Sequence, residues 1–127
     1  MLWDEPILAA SGRLLIALYF LVSALLNLTP ARIKDHIDRM AGYKTPFPAP
    51  AFWIGIAMQF LGATLLIVNW RPDLGVYCLI VFTVAATLIF HRFWNMSDPM
   101  KRNFSRITLL GNAALLGGLL LLLQNVR

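Results

Sequence analysis

Charge is scarce in this chain. Asp, Glu, Lys and Arg make up 13% of its 127 residues, while 59% are hydrophobic; a soluble domain carries about a quarter charged residues. A soluble protein this small has too little interior to hide that much apolar surface. Cysteine is nearly absent: Cys78 stands alone, which excludes an intramolecular disulfide and any CxxC redox pair. Histidine is limited to His36 and His91. Neither a serine–histidine–acid set, nor a phosphate-binding glycine loop, nor a pair of carboxylates within an apolar run occurs, so motif-based hydrolase, NTPase and ion-pump chemistry have no foothold. Two histidines and one distant cysteine do not make a zinc site. A bis-histidine haem needs ligands that face each other across helices, and His36 falls in a connection between apolar runs.

Long apolar runs are what the chain has instead. They cover Ile7–Leu28, Ala51–Asn69, Leu74–Phe90 and Phe104–Leu123, and within them only Arg13 and Arg106 are charged. A helix crosses a hydrocarbon core of about 30 Å with about 20 residues, and the third run reaches that length if it extends from Asp73 to His91. Lipid cannot satisfy free backbone groups, so helices are the expected spanning form; alternating barrel-type strands are absent. The expectation is an all-α integral membrane protein: a left-handed-type four-helix bundle in one domain, residues 1–127, with spans at approximately 7–28, 51–69, 73–91 and 104–124. Trp3, Trp53, Trp70 and Trp94 all lie at run ends, the pattern of an interfacial aromatic belt. The N-terminal run is preceded by Asp4 and Glu5 rather than by a basic region and is long for a signal peptide, so it is expected to be retained.

The connections carry their own signals. Thr29–Pro30 is a helix start. From there Ile33, Ile37, Met40 and Ala41 share one face while Arg32, Lys34, Asp35, Asp38 and Arg39 take the other. That amphipathic pattern predicts a short helix on the membrane surface, ended by Gly42. In Pro46–Phe47–Pro48–Ala49–Pro50 a proline at every second position predicts an extended segment. The second connection, Trp70–Asp73, is tight, and Ser97–Asp98–Pro99 is another helix start, so the fourth helix is expected to begin before it enters lipid. Basic residues set the orientation. Arg13, Arg71 and Arg127 fall on the side of the termini and eight others on the opposite side, so the positive-inside rule puts the termini outside. With the basic residues placed between apolar runs, the net charge of +5 points to membrane lipids as partner and not to nucleic acid.

Polar residues within apolar runs are the candidate functional positions, because each needs a partner. Two placements fit Arg13: snorkelling to the outer headgroups, which is favoured, and a fixed charge facing the bundle, paired with a carbonyl or a ligand. Gln59 shares a face with Gly55 and Gly62, and Asn112 lies beside the small-residue pairs Ala113–Gly117 and Ala114–Gly118. Gln59 and Asn112 are read first as interhelical hydrogen-bonding groups, with Gly55, Gly62, Gly117 and Gly118 as packing positions. The alternative is that Gln59 and Asn112 form a polar spot in a lipid-facing pocket, for instance for a quinone carbonyl. His91, beside Trp94 at the end of the third run, is the best single candidate for contact with such a ligand, although an interfacial histidine more often meets a headgroup or the backbone. Neither a metal site nor an intrinsic cofactor is expected; a quinone is possible.

Taken in order, several segments resemble the DoxX family of small four-helix membrane proteins. They are Gly12–Arg13–Leu14–Leu15 with Ala17–Leu21, Ala41–Gly42–Tyr43 leading into Pro46–Phe47–Pro48, Gly62–Leu66, Ala86–Thr87 with His91–Arg92–Phe93–Trp94, and Asn112–Leu120. The resemblance covers nearly the whole chain. It implies a multi-pass protein of the bacterial inner membrane. It also implies a link to quinone-coupled oxidation of sulfur compounds or to membrane-bound oxidative-stress complexes. Two positions depart from the family pattern: Asn27 stands where a lysine is common, and Gln59 where a glutamate is common. Charge chemistry by such a pair is therefore not expected here. The favoured reading is a non-catalytic subunit that anchors or completes a redox complex with other membrane proteins. A quinone-binding oxidoreductase subunit with its site near His91 is the alternative, and a small-solute carrier comes third.

Overall fold

The structure, a computed structural model, describes residues 6–90 and 97–126. Among these residues every regular element is an α-helix: α1 (Ile7–Leu26), α2 (Pro30–Gly42), α3 (Pro48–Val68), α4 (Pro72–Phe90) and α5 (Pro99–Val126). All but α2 are long and apolar enough to cross a membrane. With 28 residues, α5 is about 42 Å long, more than the hydrocarbon core needs, and its first turns carry Lys101, Arg102 and Arg106.

Helix starts follow from local chemistry. Thr29 caps α2, its hydroxyl oxygen accepting from the Arg32 N–H at 3.4 Å, and Pro30 takes the first helical position. At α5 the Asp98 carboxylate accepts from the Met100 N–H at 3.0 Å, and Pro99 opens the helix. The proline-rich segment departs from expectation. It is not extended throughout, because α3 begins at Pro48 and includes Pro50. Backbone N–H groups in the first turn have no intrahelical acceptor, so prolines there forfeit no hydrogen bond. The chain makes the required bend one residue earlier, with Phe47 left-handed at φ 50°. Asn69 and Arg71, also at positive φ, do the same between α3 and α4.

The spans pack in the order α1–α3–α4–α5, with α3–α4 the most extensive contact and α1–α5 among the slightest. Since lipid is as apolar as the side chains, association depends on close packing more than on the hydrophobic effect. Gly62 supplies the closest approach: a methyl group there would lie 2.7 Å from Leu79 Cγ and 2.9 Å from the Gly75 carbonyl oxygen. Gly55 meets the ring of Phe82. Together these contacts set the antiparallel register of α3 and α4. Around them Ala17, Phe20, Ala63, Leu66, Val76, Leu79, Leu119 and Leu122 form a continuous buried core. This core fills the half of the bundle nearest the termini. Leu8, Leu15, Leu18, Ile54, Leu61, Val81, Leu110 and Leu121 face outward, as lipid contact requires.

Across the opposite end lies α2. Its apolar face, which the sequence assigned to the membrane surface, docks on the bundle: Met40 is buried with Phe52 and Ile56, and Ile33, Ile37, Ile89 and Phe90 pack around them.

Candidate functional site

Near the termini, α1 and α5 touch, with Ile16 4.0 Å from the methyl position of Gly118 and Leu119 buried in the shared core. In the other half, a cavity of about 470 Å³ separates them. The C-terminal part of α1 (Tyr19, Phe20, Ser23, Asn27) and the N-terminal part of α3 (Phe52, Gly55, Gln59) form one side. The C-terminal part of α4 (Phe82, Thr83, Phe90) and the N-terminal part of α5 (Thr108, Asn112) form the other, and α2 closes over them with His36, Arg39 and Met40. The lining is largely aromatic and aliphatic, with a few polar groups, the composition of a small-molecule site. Phe20 and Phe82 meet edge to face at 6.3 Å and form part of its wall.

Two of the polar groups are unusual. Gln59 is 3% exposed and Thr83 4% exposed, and among the described residues neither Gln59 Oε1 nor Thr83 Oγ1 has a hydrogen-bond partner. Buried polar atoms are nearly always paired, and an orphan calls for a specific explanation. The α3–α4 register puts these residues at about the same depth on adjacent helices. Gln59 therefore does not make the interhelical bond that its place on a small-residue face predicts. Asn112 does: its Nδ2 donates to Thr87 Oγ1 at 3.0 Å, tying α5 to α4. Thr108 turns its hydroxyl back to the Phe104 carbonyl at 3.0 Å.

Arg13 is in the other half of the molecule, and it does not snorkel. It is fully buried, and its Nη1 donates to the Leu66 carbonyl. That carbonyl belongs to the last turn of α3, where the N–H of Trp70 bonds Leu65 instead. A helix leaves its last carbonyls without partners and carries partial negative charge there. Arg13 meets both needs from the neighbouring helix, which is the carbonyl-paired alternative and not the favoured one. Of the packing glycines, Gly117 has open space where a side chain would stand: a methyl group there would meet nothing within 4 Å among the described residues. His91 and Trp94 lie outside the described residues; Phe90, the residue before His91, lines the cavity.

Thr83 and His36 are among the cavity groups that escaped the sequence reading. Thr83 had a signal, being a hydroxyl in an apolar run one turn from Thr87. His36 was placed in a surface connection, yet it sits on α2 with its ring 5.8 Å from that of Phe52 and 5.6 Å from that of Phe90. Its Nδ1 is 2.8 Å from the Arg32 carbonyl oxygen. A carbonyl only accepts, so Nδ1 carries the proton and the ring is held in place. What hid His36 from sequence reading is that an amphipathic helix does not reveal which surface its apolar face will cover.

Comparison with curated proteins and with solved structures gives no match. The family model for DoxX matches residues 8–92, which takes in α1 to α4 and every cavity-lining residue except those on α5. On that match over most of its length, this membrane chain belongs to the DoxX family.

Proposed function

We propose that this protein is a membrane subunit that holds a quinone-type molecule in the cavity and presents it to a partner redox protein. The observation that carries this reading is the pair of buried, unpartnered atoms, Gln59 Oε1 and Thr83 Oγ1, on an otherwise aromatic wall. A quinone carbonyl accepts from the Thr83 hydroxyl. A quinol hydroxyl donates to Gln59 Oε1. The ring packs against Phe20 and Phe82. Both redox forms are thus served without any change in the protein's charge.

The same wall supports a subunit rather than a self-sufficient enzyme. The polar groups around the deep pair, Ser23, Gln59, Thr83 and Asn112, are hydrogen-bonding but neutral, and reduction of a quinone needs protons and an electron donor. Electrons would come from the partner. A carrier is disfavoured because the core around Ala17, Leu66, Leu79 and Leu119 fills the bundle beyond the cavity. With Arg13 committed to α3, the basic residues counted for the two sides become eight against two. This supports termini outside and the α2 end of the cavity facing the cytoplasm, in a bacterial inner membrane.

The test uses purified protein in nanodiscs. Equilibrium dialysis with a short-chain benzoquinone is expected to give saturable binding that the double variant Gln59→Leu, Thr83→Val loses. Quinone turnover by the isolated chain with added electron donors would defeat the subunit reading. Absence of saturable binding would defeat the quinone reading.

A further inference from the structure

The cavity has a second polar pole. From the deep pair, both helices lead to the same place: Phe52 is seven residues before Gln59 on α3, and Phe90 is seven residues after Thr83 on α4, each about 10 Å along the axis. There α2 crosses, and His36 contacts both rings. Beside it the Arg39 guanidinium stands 5.0 Å over Phe90 and lines the cavity.

We infer that the natural ligand carries a carboxylate about 10 Å from its deep hydrogen-bonding group, and that Arg39 on α2 binds this carboxylate. This rests on the reading of the cavity as a quinone-type site and narrows the class of molecule to an aromatic ring with a short acidic arm. Arg39 is suited to the task. The Phe90 ring holds it at the end of the cavity, and its one ion pair among the described residues, to Asp35 Oδ2, is long at 3.7 Å and well exposed. Exposed pairs of this kind contribute little, so a carboxylate accepting two parallel N–H bonds from the guanidinium outcompetes it. The other charges on α2, Arg32, Lys34, Asp35 and Asp38, leave the helix with net charge +1 once Arg39 is included, which favours an anion at this end. A membrane lipid with its headgroup at Arg39 does not account for the deep pole, because an acyl chain leaves Gln59 Oε1 and Thr83 Oγ1 unpartnered.

The experiment compares two probes in zwitterionic nanodiscs: a 1,4-naphthoquinone bearing a carboxypentyl chain, and its methyl ester. Wild-type protein is expected to bind the acid about tenfold more tightly than the ester, from one charge-assisted contact at a partly exposed site. Arg39→Gln is expected to abolish that preference, bringing acid and ester to the same affinity, with circular dichroism showing that the variant is folded. Asp35→Asn, which removes the competing carboxylate, is expected to strengthen the preference. Equal binding of acid and ester by wild type, or a preference that survives in Arg39→Gln, overturns the inference and leaves the quinone reading intact. Failure of both probes to bind overturns the two together. Displacement of the acid by a modest fraction of anionic phospholipid in the nanodisc shows that the pole serves a lipid and likewise overturns the inference.

Discussion

Replacing Gln59 by methionine should make the ligand-free protein more stable and a poorer binder. The side chains are close in length and volume, so the core around position 59 changes little in shape. What changes is polarity. Gln59 Oε1 is buried without a partner, and an unmade hydrogen bond of this kind is unfavourable by about 1–3 kcal/mol. In a membrane protein the unfolded reference state also stays in a low-polarity medium and finds partners, which brings measured polar effects nearer 0.6 kcal/mol. The expected gain is therefore about 1 kcal/mol. Reversible unfolding in mixed micelles, followed by circular dichroism with and without a saturating short-chain quinone, measures it. Without quinone, Gln59→Met should unfold at higher denaturant. With quinone, the wild type should gain more from the ligand than the variant, so that the two curves approach or cross. A variant that is less stable than wild type without ligand by 1 kcal/mol or more would refute the reasoning, since Gln59 would then have a partner within the protein.

Other outcomes follow from the same geometry. Gly62→Ala puts a methyl group 2.7 Å from Leu79 Cγ and 2.9 Å from the Gly75 carbonyl oxygen; the backbone of α4 must give way, and a loss of about 1–3 kcal/mol in the same unfolding assay is expected. Gly117→Ala, with open space around it, should unfold within about 0.5 kcal/mol of wild type. Arg13→Leu removes the donor to the Leu66 carbonyl and should destabilise by about 2 kcal/mol, with Arg13→Lys recovering part of the loss. Thr29→Ala should loosen α2 by about 1 kcal/mol, seen as faster amide exchange over Ala31–Lys34. A phosphatase fused after Arg127, active only outside the cytoplasm, should be active; an inactive but intact fusion would reverse the orientation.

Much of the architecture could be read from the sequence because the membrane imposes it. Runs of about 20 apolar residues have one stable form in lipid, the helix, and Thr29–Pro30 and Asp98–Pro99 mark helix starts through bonds that close within a single turn. Chemistry of that range is written locally. Pro48 and Pro50 show the limit even there, since the same prolines suit an extended segment or a helical first turn, and the docking of α2 and α3 selects the second.

The site depended on tertiary structure. Arg13 near a helix end has snorkelling as the ordinary outcome, and only the arrival of the α3 C-terminus beside it supplies a better one. Gln59 and Asn112 look alike in sequence, each an amide on a small-residue face. Asn112 lies beside Thr87 and bonds it, whereas Gln59 faces the wedge where α1 and α5 diverge and its Oε1 finds no partner among the described residues. That wedge has no signature in any one segment, because it is the volume left when five helices pack on one another. His36 and Arg39 join it for the same reason: α2 carries its amphipathic pattern in its own sequence, but the surface it covers is a property of α3 and α4.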